Sequence, residues 1–332
     1  MIVDSERIKR GLYWQKAWSL IGGCTKVSPG CDNCWSEKES HMRSSNPNDK
    51  VRSRHEGLTD GGQWNGTIRL NSDNLDLPLR VKKPTVWAIW NDLFHEDVPD
   101  EFIARVWWII GQCAGYLDPS RYRPHKFIVL TKRAERMKKW IQGWCDPRIR
   151  KQWIESLGEV YDWMNGPKYW PDALDNVLLG VTAENQEQVD KRIPILLQIP
   201  AAVRFVSVEP MLGPMDFSFD VGTGEGHRDS FFNHGLNWVI CGGESGSGAR
   251  PIHPEWARSL RDQCTAADVS FFFKQWGEWV GNYPGDNWDP TEIMQHYYFA
   301  NGSPCKVWRC GKKKAGRTLD GYEWNDIPEG LE

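Results

Sequence analysis

From about residue 67, short apolar runs rich in β-branched residues alternate with stretches in which apolar side chains recur at helical spacing. This alternation predicts βα units arranged around a parallel sheet. An earlier run of the same kind supplies a first strand. The pattern predicts eight strands in all: Tyr13–Leu20, Thr67–Asn71, Thr85–Asn91, Lys126–Thr131, Val177–Thr182, Arg204–Glu209, Trp238–Gly242 and Val269–Lys274.

Between these runs, helical spacing is clearest in Pro99–Cys113, Glu184–Gln198 and Pro254–Ala267. The first of them begins with Pro-Asp-Glu, which suits the first turn of a helix. Eight strands with intervening helices predict an α/β fold, a complete or partial (β/α) TIM-type barrel. We expect the barrel to span residues 1–282, with a Trp-rich insertion at about residues 140–170 and an irregular C-terminal extension over residues 283–332.

Polar and charged residues follow nearly every predicted strand. In (β/α) barrels the working groups lie at the carboxyl ends of the strands. A chain that only needed to turn there would use Gly, Asn or Asp, so the recurrence of other polar types predicts a shared pocket. The residues concerned are Asn91-Asp92, Thr131-Lys132-Arg133, Thr182 with Glu184, Glu209-Pro210, Gly242-Gly243-Glu244-Ser245 and Lys274-Gln275-Trp276.

Composition restricts the class of protein. The chain has 332 residues, a formal net charge of −3 and a mean hydropathy of −0.60. No apolar run approaches the ~20 residues that a membrane helix needs. The first residues, MIVDSERIKRGLYW, lack the apolar core of a signal peptide. We therefore expect a cytoplasmic protein that does not contact a membrane; neither nucleic acid nor any other partner is required by the global charge.

Three of the nine cysteines lie close together in the stretch GGCTKVSPGCDNCW, at Cys24, Cys31 and Cys34. Clustered thiols in a reducing compartment indicate metal or redox chemistry rather than disulfides. Three cysteines suit a [4Fe–4S] cluster with one iron left open for a non-protein ligand, and Trp35 would shield such a cluster from water. Zinc is the alternative, with His41 or the Cys305 and Cys310 pair completing the ligand set, and unligated thiols are the third possibility. The remaining cysteines lie in apolar contexts and are expected to be ordinary buried residues: Cys113, Cys145, Cys241 and Cys264.

A three-cysteine loop after the first strand of a βα barrel resembles the radical S-adenosylmethionine (SAM) superfamily, whose usual spacing is Cys-x3-Cys-x2-Cys. Here the first gap has six residues. With that gap, the chain from about Trp14 to Trp279 resembles a phage-encoded radical SAM-like family, of the isomerase type that acts in phage thymine hypermodification. The motifs that carry this resemblance are GCTKVSPGCDNCW, NDLFHEDVPDEFI, VLTKRAERM, RFVSVEPMLGP, WVICGGESGSGARPIHP and FFFKQWGEW.

The resemblance implies two cofactors, a [4Fe–4S] cluster and SAM, together with a reductant protein or small reductant. It implies that the three clustered cysteines hold the cluster and that Gly243 and Glu244 receive the SAM ammonium, with Glu209 as the competing acid. Lys132 and Arg133 would hold a carboxylate or phosphate. The expected substrate-lining residues are Asn91, Asp92 and His95, but an ordinary capped or surface histidine before the helix at Pro99 is the favoured explanation of His95. Lys132, Asp92 and His95 are the candidate catalytic residues.

The resemblance also points to DNA as the substrate. In its sharpest form it implies isomerisation of 5-N-α-glycinylthymidine to 5-C-α-glycinylthymidine, a hypermodification that protects viral DNA from host restriction. The alternatives are a radical SAM lyase of the spore-photoproduct type and a non-catalytic, zinc-stabilised nucleic-acid-binding protein. For DNA contact we expect the insertion to supply phosphate-binding cations and stacking rings, unless it is a Trp-rich packing lobe. The residues in question are Arg148, Arg150, Lys151, Trp144 and Trp153. A base in a duplex would have to be flipped out to reach the pocket.

Overall fold

Seven parallel strands form the central sheet of the protein. The computed structural model describes residues 3–89, 91–116, 120, 122–158, 170–220, 228–281, 293–298 and 304–331. Within these ranges the strands are β1 (Lys16–Trp18), β2 (Ile21–Gly22), β3 (Thr59–Asp60), β4 (Gln63–Trp64), β5 (Arg69–Leu70), β6 (Val86–Ile89), β7 (Lys126–Thr131), β8 (Val177–Thr182), β9 (Val203–Val208), β10 (Ser218–Asp220), β11 (Arg228–Ser230), β12 (Trp238–Gly242), β13 (Ser270–Gln275), β14 (Trp279–Gly281), β15 (Ile293–Tyr298) and β16 (Pro304–Arg309).

The central sheet has the order β1-β6-β7-β8-β9-β12-β13, and every neighbouring pair in it is parallel. Sequence order is therefore kept across the sheet, as in a (β/α) barrel, but the sheet curls into a half-barrel rather than closing. Seven of the eight predicted strands are confirmed as members of this sheet. The fold is α/β, and the barrel expected from the sequence is a partial one.

The remaining predicted strand, Thr67–Asn71, does not belong to the central sheet, so its assignment to the barrel was wrong. Only Arg69–Leu70 is a strand, and it pairs antiparallel with Ile21–Gly22 beside the sheet. The guanidinium of Arg69 donates to the backbone carbonyls of Ser53 (2.6 Å) and Glu56 (2.8 Å). These bonds tie the segment to the polar region after the cysteine loop, so it cannot occupy a place in the parallel sheet.

The helices pack mainly on the convex face of the sheet. They are α1 (Ser5–Lys9), α2 (Trp35–Arg43), α3 (Asp49–His55), α4 (Leu77–Arg80), α5 (Asp100–Cys113), α6 (Ala134–Cys145), α7 (Pro147–Ser156), α8 (Gln186–Leu197), α9 (Pro254–Ala266) and α10 (Lys312–Ala315). Helices α5, α8 and α9 confirm the three predicted helices to within two residues at each end. Within the described ranges, none of the helices combines the length and the apolar character of a membrane span.

Large apolar side chains fill the concave face of the half-barrel. Phe205, Trp238 and Phe272 come from neighbouring strands and are fully buried there, with Ile8 and Leu331 from the two ends of the chain packed against them. Burying such large side chains is the dominant favourable term in folding. The concave face is therefore packed core rather than open space, which leaves the carboxyl edge of the sheet as the place for polar chemistry.

The C-terminal segment, residues 304–331, packs along the last strand of the sheet. The backbone N–H of Phe273 donates to the carbonyl of Trp324 (3.0 Å), and the indole of Trp238 donates to the carbonyl of Asp326 (3.0 Å). β14, β16 and β15 form a separate antiparallel sheet in that order. The domain boundary predicted at residue 282 falls at the start of residues 282–292, outside the described residues.

Candidate functional site

The polar residues that follow the strands gather at one edge of the sheet. Asp92 follows β6, Lys132 and Arg133 follow β7, Glu184 follows β8, and Glu244 follows β12. Because all these strands are parallel, their carboxyl ends meet at the same edge. Hydrogen bonds join three of these five residues, Arg133, Glu184 and Glu244, to the cysteine loop, Gly22–Trp35, which crosses this edge. The strand ends lie together as parallel strands require, and the shared pocket expected of them stays a prediction.

The cysteine loop has a tightly constrained start. Gly23 has φ +87°, a left-handed conformation that favours glycine, and a Cβ there would lie 1.9 Å from the carbonyl oxygen of Thr67. Cys24 follows and is half-buried. Cys31 ends a single 3-10 turn, Pro29–Cys31, with 9% of its surface exposed, and Cys34 is the N-terminal cap residue of α2.

Glu184 fastens the middle of the loop to the sheet. It is fully buried, accepts the backbone N–H of Gly30 at 3.1 Å and pairs with Arg192 at 3.0 Å. Burial alone would raise the pKa of Glu184, but the hydroxyl of Ser28, the charges of Arg192 and Lys132 and the Gly30 N–H outweigh it, and the pKa lies below its ordinary value. The carboxylate therefore stays ionised and holds the loop near Cys31.

Glu244 fastens the same loop from the other side of the rim. The guanidinium of Arg250 binds the carboxylate of Glu244 at two points, since Nη2 lies 2.6 Å from Oε1 and Nε lies 3.0 Å from Oε2. The same Arg250 donates to the carbonyl of Pro29 (2.9 Å), and Asn33 Nδ2 donates to Glu244 Oε2 (3.1 Å). Both carboxylate oxygens are thus engaged by protein donors. A SAM ammonium at Glu244 would have to compete with Arg250, and the evident role of Glu244 in this structure is to position the loop.

Arg133 holds the first part of the loop. Its guanidinium is 6% exposed, pairs with Asp92 (2.8 Å) and Glu96 (2.7 Å), and donates to the carbonyl of Thr25 (3.1 Å). It also donates to the sulfur of Cys24 at 3.7 Å. Burial alone would lower the pKa of Arg133, but the charges of Asp92 and Cys24 raise it above its ordinary value. Arg133 is therefore a fixed cation beside the first thiol, rather than a free group waiting for a carboxylate.

His95 lies beneath the loop and contacts it. Its Nε2 is 2.8 Å from the hydroxyl of Thr25, and its Nδ1 accepts the backbone N–H of Asp97 at 3.2 Å. Because Nδ1 is an acceptor, the neutral ring carries its proton on Nε2 and donates to Thr25. Burial, with Arg133 adding to it, lowers the pKa of His95. The structure brings His95 and Asp92 to the rim, where both support the residue that follows Cys24.

Glu209 belongs to a separate polar cluster below the rim. It pairs with Lys274 at 2.9 Å and accepts from Ser207 at 3.2 Å. Burial raises the pKa of Tyr13, whose hydroxyl interacts with Glu209; burial alone would lower the pKa of Lys274, but Glu209 raises it. Nearby Gly243 is required for packing, since a Cβ there would lie 1.9 Å from the carbonyl oxygen of Trp276.

Lys132 differs from its neighbours on the rim. It is half-buried, its backbone N–H donates to Asp92 at 3.2 Å, and its ammonium acts on Glu184 through space. Among the described residues its ammonium has no hydrogen-bond partner in the structure. Of the predicted cations at the rim, Lys132 is the one whose charged group remains available to a ligand.

Sequence reasoning missed four residues that fix the loop: Thr25, Asn33, Arg192 and Arg250. The contact from Asn33 to Glu244 joins positions 211 residues apart, and no local pattern predicts it. The pairing of Arg250 with Glu244 could have been predicted, since Arg250 follows Glu244 by six residues in the Gly-rich run GGESGSGARP. Such a run allows the chain to turn back and pair the two charges.

The three thiols are of the ligand type that holds iron–sulfur clusters. Burial, with Asp92 adding to it, raises the pKa of Cys24 to about 11, and Cys34 is near enough to contribute. Within the described ranges no three His, Cys, Asp or Glu side chains converge tightly enough to surround one metal ion. A single zinc ion needs such convergence, whereas in an iron–sulfur cube each cysteine binds a different iron.

The other candidate ligands and cysteines lie elsewhere. His41 Nδ1 is 3.3 Å from the hydroxyl of Thr59, and Cys305 packs against the sheet formed by β14 and β16. Neither location belongs to the rim. Cys113, Cys241 and Cys264 are buried as expected, and Cys145 is half-buried against the core.

The Trp-rich insertion is a packing lobe in its described part, and its predicted stacking role is wrong. Trp144 is fully buried, and the rings of Trp140 and Trp153 stack at 5.1 Å with 2° between their planes. Arg150 is 8% exposed and donates to the carbonyl of Trp144 (3.1 Å). These side chains fill the space between α5, α6 and α7, so they cannot meet a base or a phosphate. Trp163 lies outside the described residues.

Trp35 was expected to shield the cysteines, and this stays a prediction. Its side chain is 53% exposed at the first residue of α2, directly after Cys34. About half of the residue's surface is therefore open to solvent, and the rest is covered by the chain.

Comparison with known proteins gives one match. A family model described as "Protein of unknown function (DUF5131)" matches residues 10–328. No curated protein and no solved structure matches the chain.

Proposed function

The chain belongs to the DUF5131 family of proteins of unknown function, and we propose that it is an iron–sulfur enzyme of the radical SAM type that modifies a nucleobase in DNA. One observation carries the proposal. A loop with three thiols is clamped across the carboxyl edge of a parallel half-barrel by Glu184, Glu244 and Arg133. Such an edge is where (β/α) enzymes work.

Cys24, Cys31 and Cys34 would hold the [4Fe–4S] cluster. With SAM bound, this cofactor would supply a 5′-deoxyadenosyl radical that abstracts hydrogen from the substrate. The chain itself orients the thiols and limits their exposure to water. Its two carboxylate clamps meet the loop at Gly30 and Asn33, directly before Cys31 and Cys34. A displacement of either clamp would therefore move the ligand positions.

Two cations at the rim, Arg133 and Lys132, are suited to the charged groups of the proposed cofactors. The guanidinium of Arg133 lies 3.7 Å from the sulfur of Cys24 and partly offsets the rise in the pKa of this thiol that burial causes. Lys132 is the best candidate to bind the SAM carboxylate, since its ammonium is half-buried and has no hydrogen-bond partner among the described residues.

For the substrate, we propose the glycinylated thymine of phage DNA, with isomerisation of 5-N-α-glycinylthymidine to its 5-C-α isomer. The motif resemblance supports this choice, as does the exposed Trp35 beside Cys34. An isomerisation needs no net oxidant, because a hydrogen removed from the glycine α-carbon can be returned after the bond has moved.

The test is anaerobic reconstitution of the full chain with iron, sulfide and a reductant. We expect a brown protein that cleaves SAM to 5′-deoxyadenosine, and mass spectrometry of nucleosides should detect the isomer after incubation with glycinylated DNA. Activity on irradiated DNA instead would indicate a lyase of the spore-photoproduct type. A colourless protein that binds zinc and leaves SAM intact would overturn the proposal.

A further inference from the structure

A cavity of about 460 Å³ lies beside the cysteine loop, between α3 and the segment that runs from β5 to α4. We call it the basic groove. Four of its lining side chains are cations from three different elements: Lys50, Arg54, Arg69 and Arg80. Among its described lining residues one carboxylate, Asp73, opposes them, so the lining has a surplus of three positive charges. The chain as a whole has a net charge of −3, which makes this local surplus unusual.

The cations of the basic groove are only partly neutralised. Lys50 is exposed, and the side chain of Arg80 is 69% exposed with its nearest described carboxylate, Asp76, 4.0 Å away. Arg69 donates hydrogen bonds to the backbone carbonyls of Ser53 and Glu56. Both acceptors are neutral, so these bonds do not neutralise the positive charge of Arg69. Arg54 is the exception, since it pairs with Asp73 at 2.5 Å.

The basic groove leads to the rim that carries the cysteines. A smaller cavity of about 80 Å³ shares Arg54 and Asn71 with it. The other side of this smaller cavity is lined by Gly22, Ser36 and Asn91. Ser36 and Asn91 are hydrogen-bonded at 2.6 Å, and they join the start of α2 to the end of β6. The two cavities therefore adjoin at Arg54 and Asn71, and their linings together extend from the four cations to the end of β6.

Three features of this surface fit a phosphodiester chain. Arg and Lys bind phosphate oxygens, and cations spread over several elements can contact successive phosphates of one strand. The adjoining smaller cavity reaches Gly22 and Asn91, beside the rim where a target base would be held. We propose that the basic groove binds the phosphate backbone of the nucleic-acid strand whose base is modified, which rests on the proposed function for the choice of nucleic acid as substrate.

The described part of the Trp-rich insertion is less suited to this role. Of the cations on the insertion, Arg150 is buried, and Arg148 and Lys151 pair with Asp146 (2.9 Å) and Glu155 (3.7 Å). They serve as a matched control, because both are exposed and their removal also deletes two positive charges.

The experiment compares Lys50→Ala/Arg80→Ala with Arg148→Ala/Lys151→Ala in the full chain. Binding of a fluorescent thymidine-containing duplex is followed by anisotropy at several salt concentrations, before and after cluster reconstitution. Each lost phosphate contact should reduce the log–log salt slope by about 0.9, hence by up to about 1.8 for the groove variant. Over a fourfold rise in salt, its loss of affinity should then be up to about 12-fold smaller than that of the wild type. The control variant should keep the wild-type slope.

Three results would overturn the proposal: absence of duplex binding by the wild type, an unchanged slope in the groove variant, or a reduced slope in the control alone. Displacement of the duplex by inorganic phosphate at constant ionic strength would also overturn it, since the groove would then be a site for single phosphates. Duplex binding needs neither cluster nor SAM. A protein that binds DNA through the groove but never assembles a cluster would therefore retain this inference and lose the proposed function.

Discussion

Arg250 and Glu244 form a two-point ion pair at the carboxyl edge of the sheet, with contacts of 2.6 and 3.0 Å. The pair also reaches the cysteine loop, since Arg250 donates to Pro29 and Glu244 accepts from Asn33. Only 6% of the Glu244 side chain is exposed, and 28% of that of Arg250. A partly buried fork of this kind fixes geometry as well as charge. Its contacts at Pro29 and Asn33 lie just before Cys31 and Cys34, which makes the pair a positioning device for two of the three thiols.

We therefore predict that Arg250→Ala weakens iron retention without removing a ligand. The variant leaves the Glu244 carboxylate without its cation and frees the loop at Pro29. We expect the free energy of unfolding to fall by about 1–3 kcal/mol. Iron per chain after reconstitution and desalting should fall as well, and Arg250→Lys should recover it only partly because lysine lacks the fork.

Arg148→Ala is the matched control, because it breaks an Arg–Asp pair on α7, outside the cysteine loop, and it should leave stability and iron retention close to those of the wild type. Full iron retention in Arg250→Ala would show that the fork does not position the thiols.

The second prediction concerns the thiols themselves. Cys31→Ala should abolish iron retention and 5′-deoxyadenosine formation, and Cys24→Ala and Cys34→Ala should do the same. Cys113→Ala removes a fully buried thiol on α5, so it should cost some stability yet leave both properties intact. Iron analysis and chromatographic detection of 5′-deoxyadenosine provide the measurement. A Cys31→Ala protein with wild-type iron would remove Cys31 from the ligand set.

The sequence predicts the sheet better than it predicts the contacts of the site. β7 and β8 match their predicted bounds because their apolar runs end sharply at polar residues. The rim also follows from the sequence, since parallel strands must bring their carboxyl ends together. The partners of Glu244 and Arg133 cannot be predicted in this way. These partners, Asn33 and Thr25, come from a loop whose path is set by tertiary contacts.

The burial of the tryptophans on α6 could have been predicted from their spacing. Met137, Trp140 and Trp144 recur at helical spacing along α6, which is the pattern of a buried stripe, and all three are buried. The nearby cations suggested a nucleic-acid surface instead. Trp35 stands among charged residues in the same way, yet it is exposed, and local composition does not separate the two cases.

The third prediction assigns Trp35 the stacking role that the insertion cannot have. Trp35→Ala should weaken binding of a thymidine-containing oligonucleotide by about 1–3 kcal/mol, since that is the usual contribution of one ring stacked on a base. The salt slope should stay unchanged because no charge is removed. Anisotropy at several salt concentrations measures both quantities. Trp35→Phe, which keeps a stacking ring, should restore most of the affinity, and equal affinity in Trp35→Ala and the wild type would contradict the assignment.

The last prediction concerns stability and pH, and it involves a residue remote from the rim. His125 is 1% exposed, and its Nε2 lies 3.0 Å from the carbonyl oxygens of both Pro78 and Val81. Its Nδ1 is buried without a hydrogen-bond partner among the described residues. Burial lowers the pKa of His125; the two carbonyls oppose this shift, and the charges of Arg123 and Lys16 add to it.

A histidine whose pKa is lower in the folded state binds its proton more readily in the unfolded state. Its contribution to stability is therefore complete above the unfolded pKa of about 6.5 and is lost as pH falls below that value, by at most about 1.4 kcal/mol per pH unit. His125→Gln removes the titrating group while keeping an amide that can donate to the carbonyls. Denaturant unfolding at about pH 5.5 and 7.5 should show a smaller pH dependence of the free energy of unfolding in His125→Gln than in the wild type.

His41→Gln, at an exposed position near Thr59, controls for the loss of a histidine as such. Identical pH dependence in the wild type and His125→Gln would mean that this ring does not titrate differently on folding, and that its burial between α4 and β7 has no consequence for acid stability.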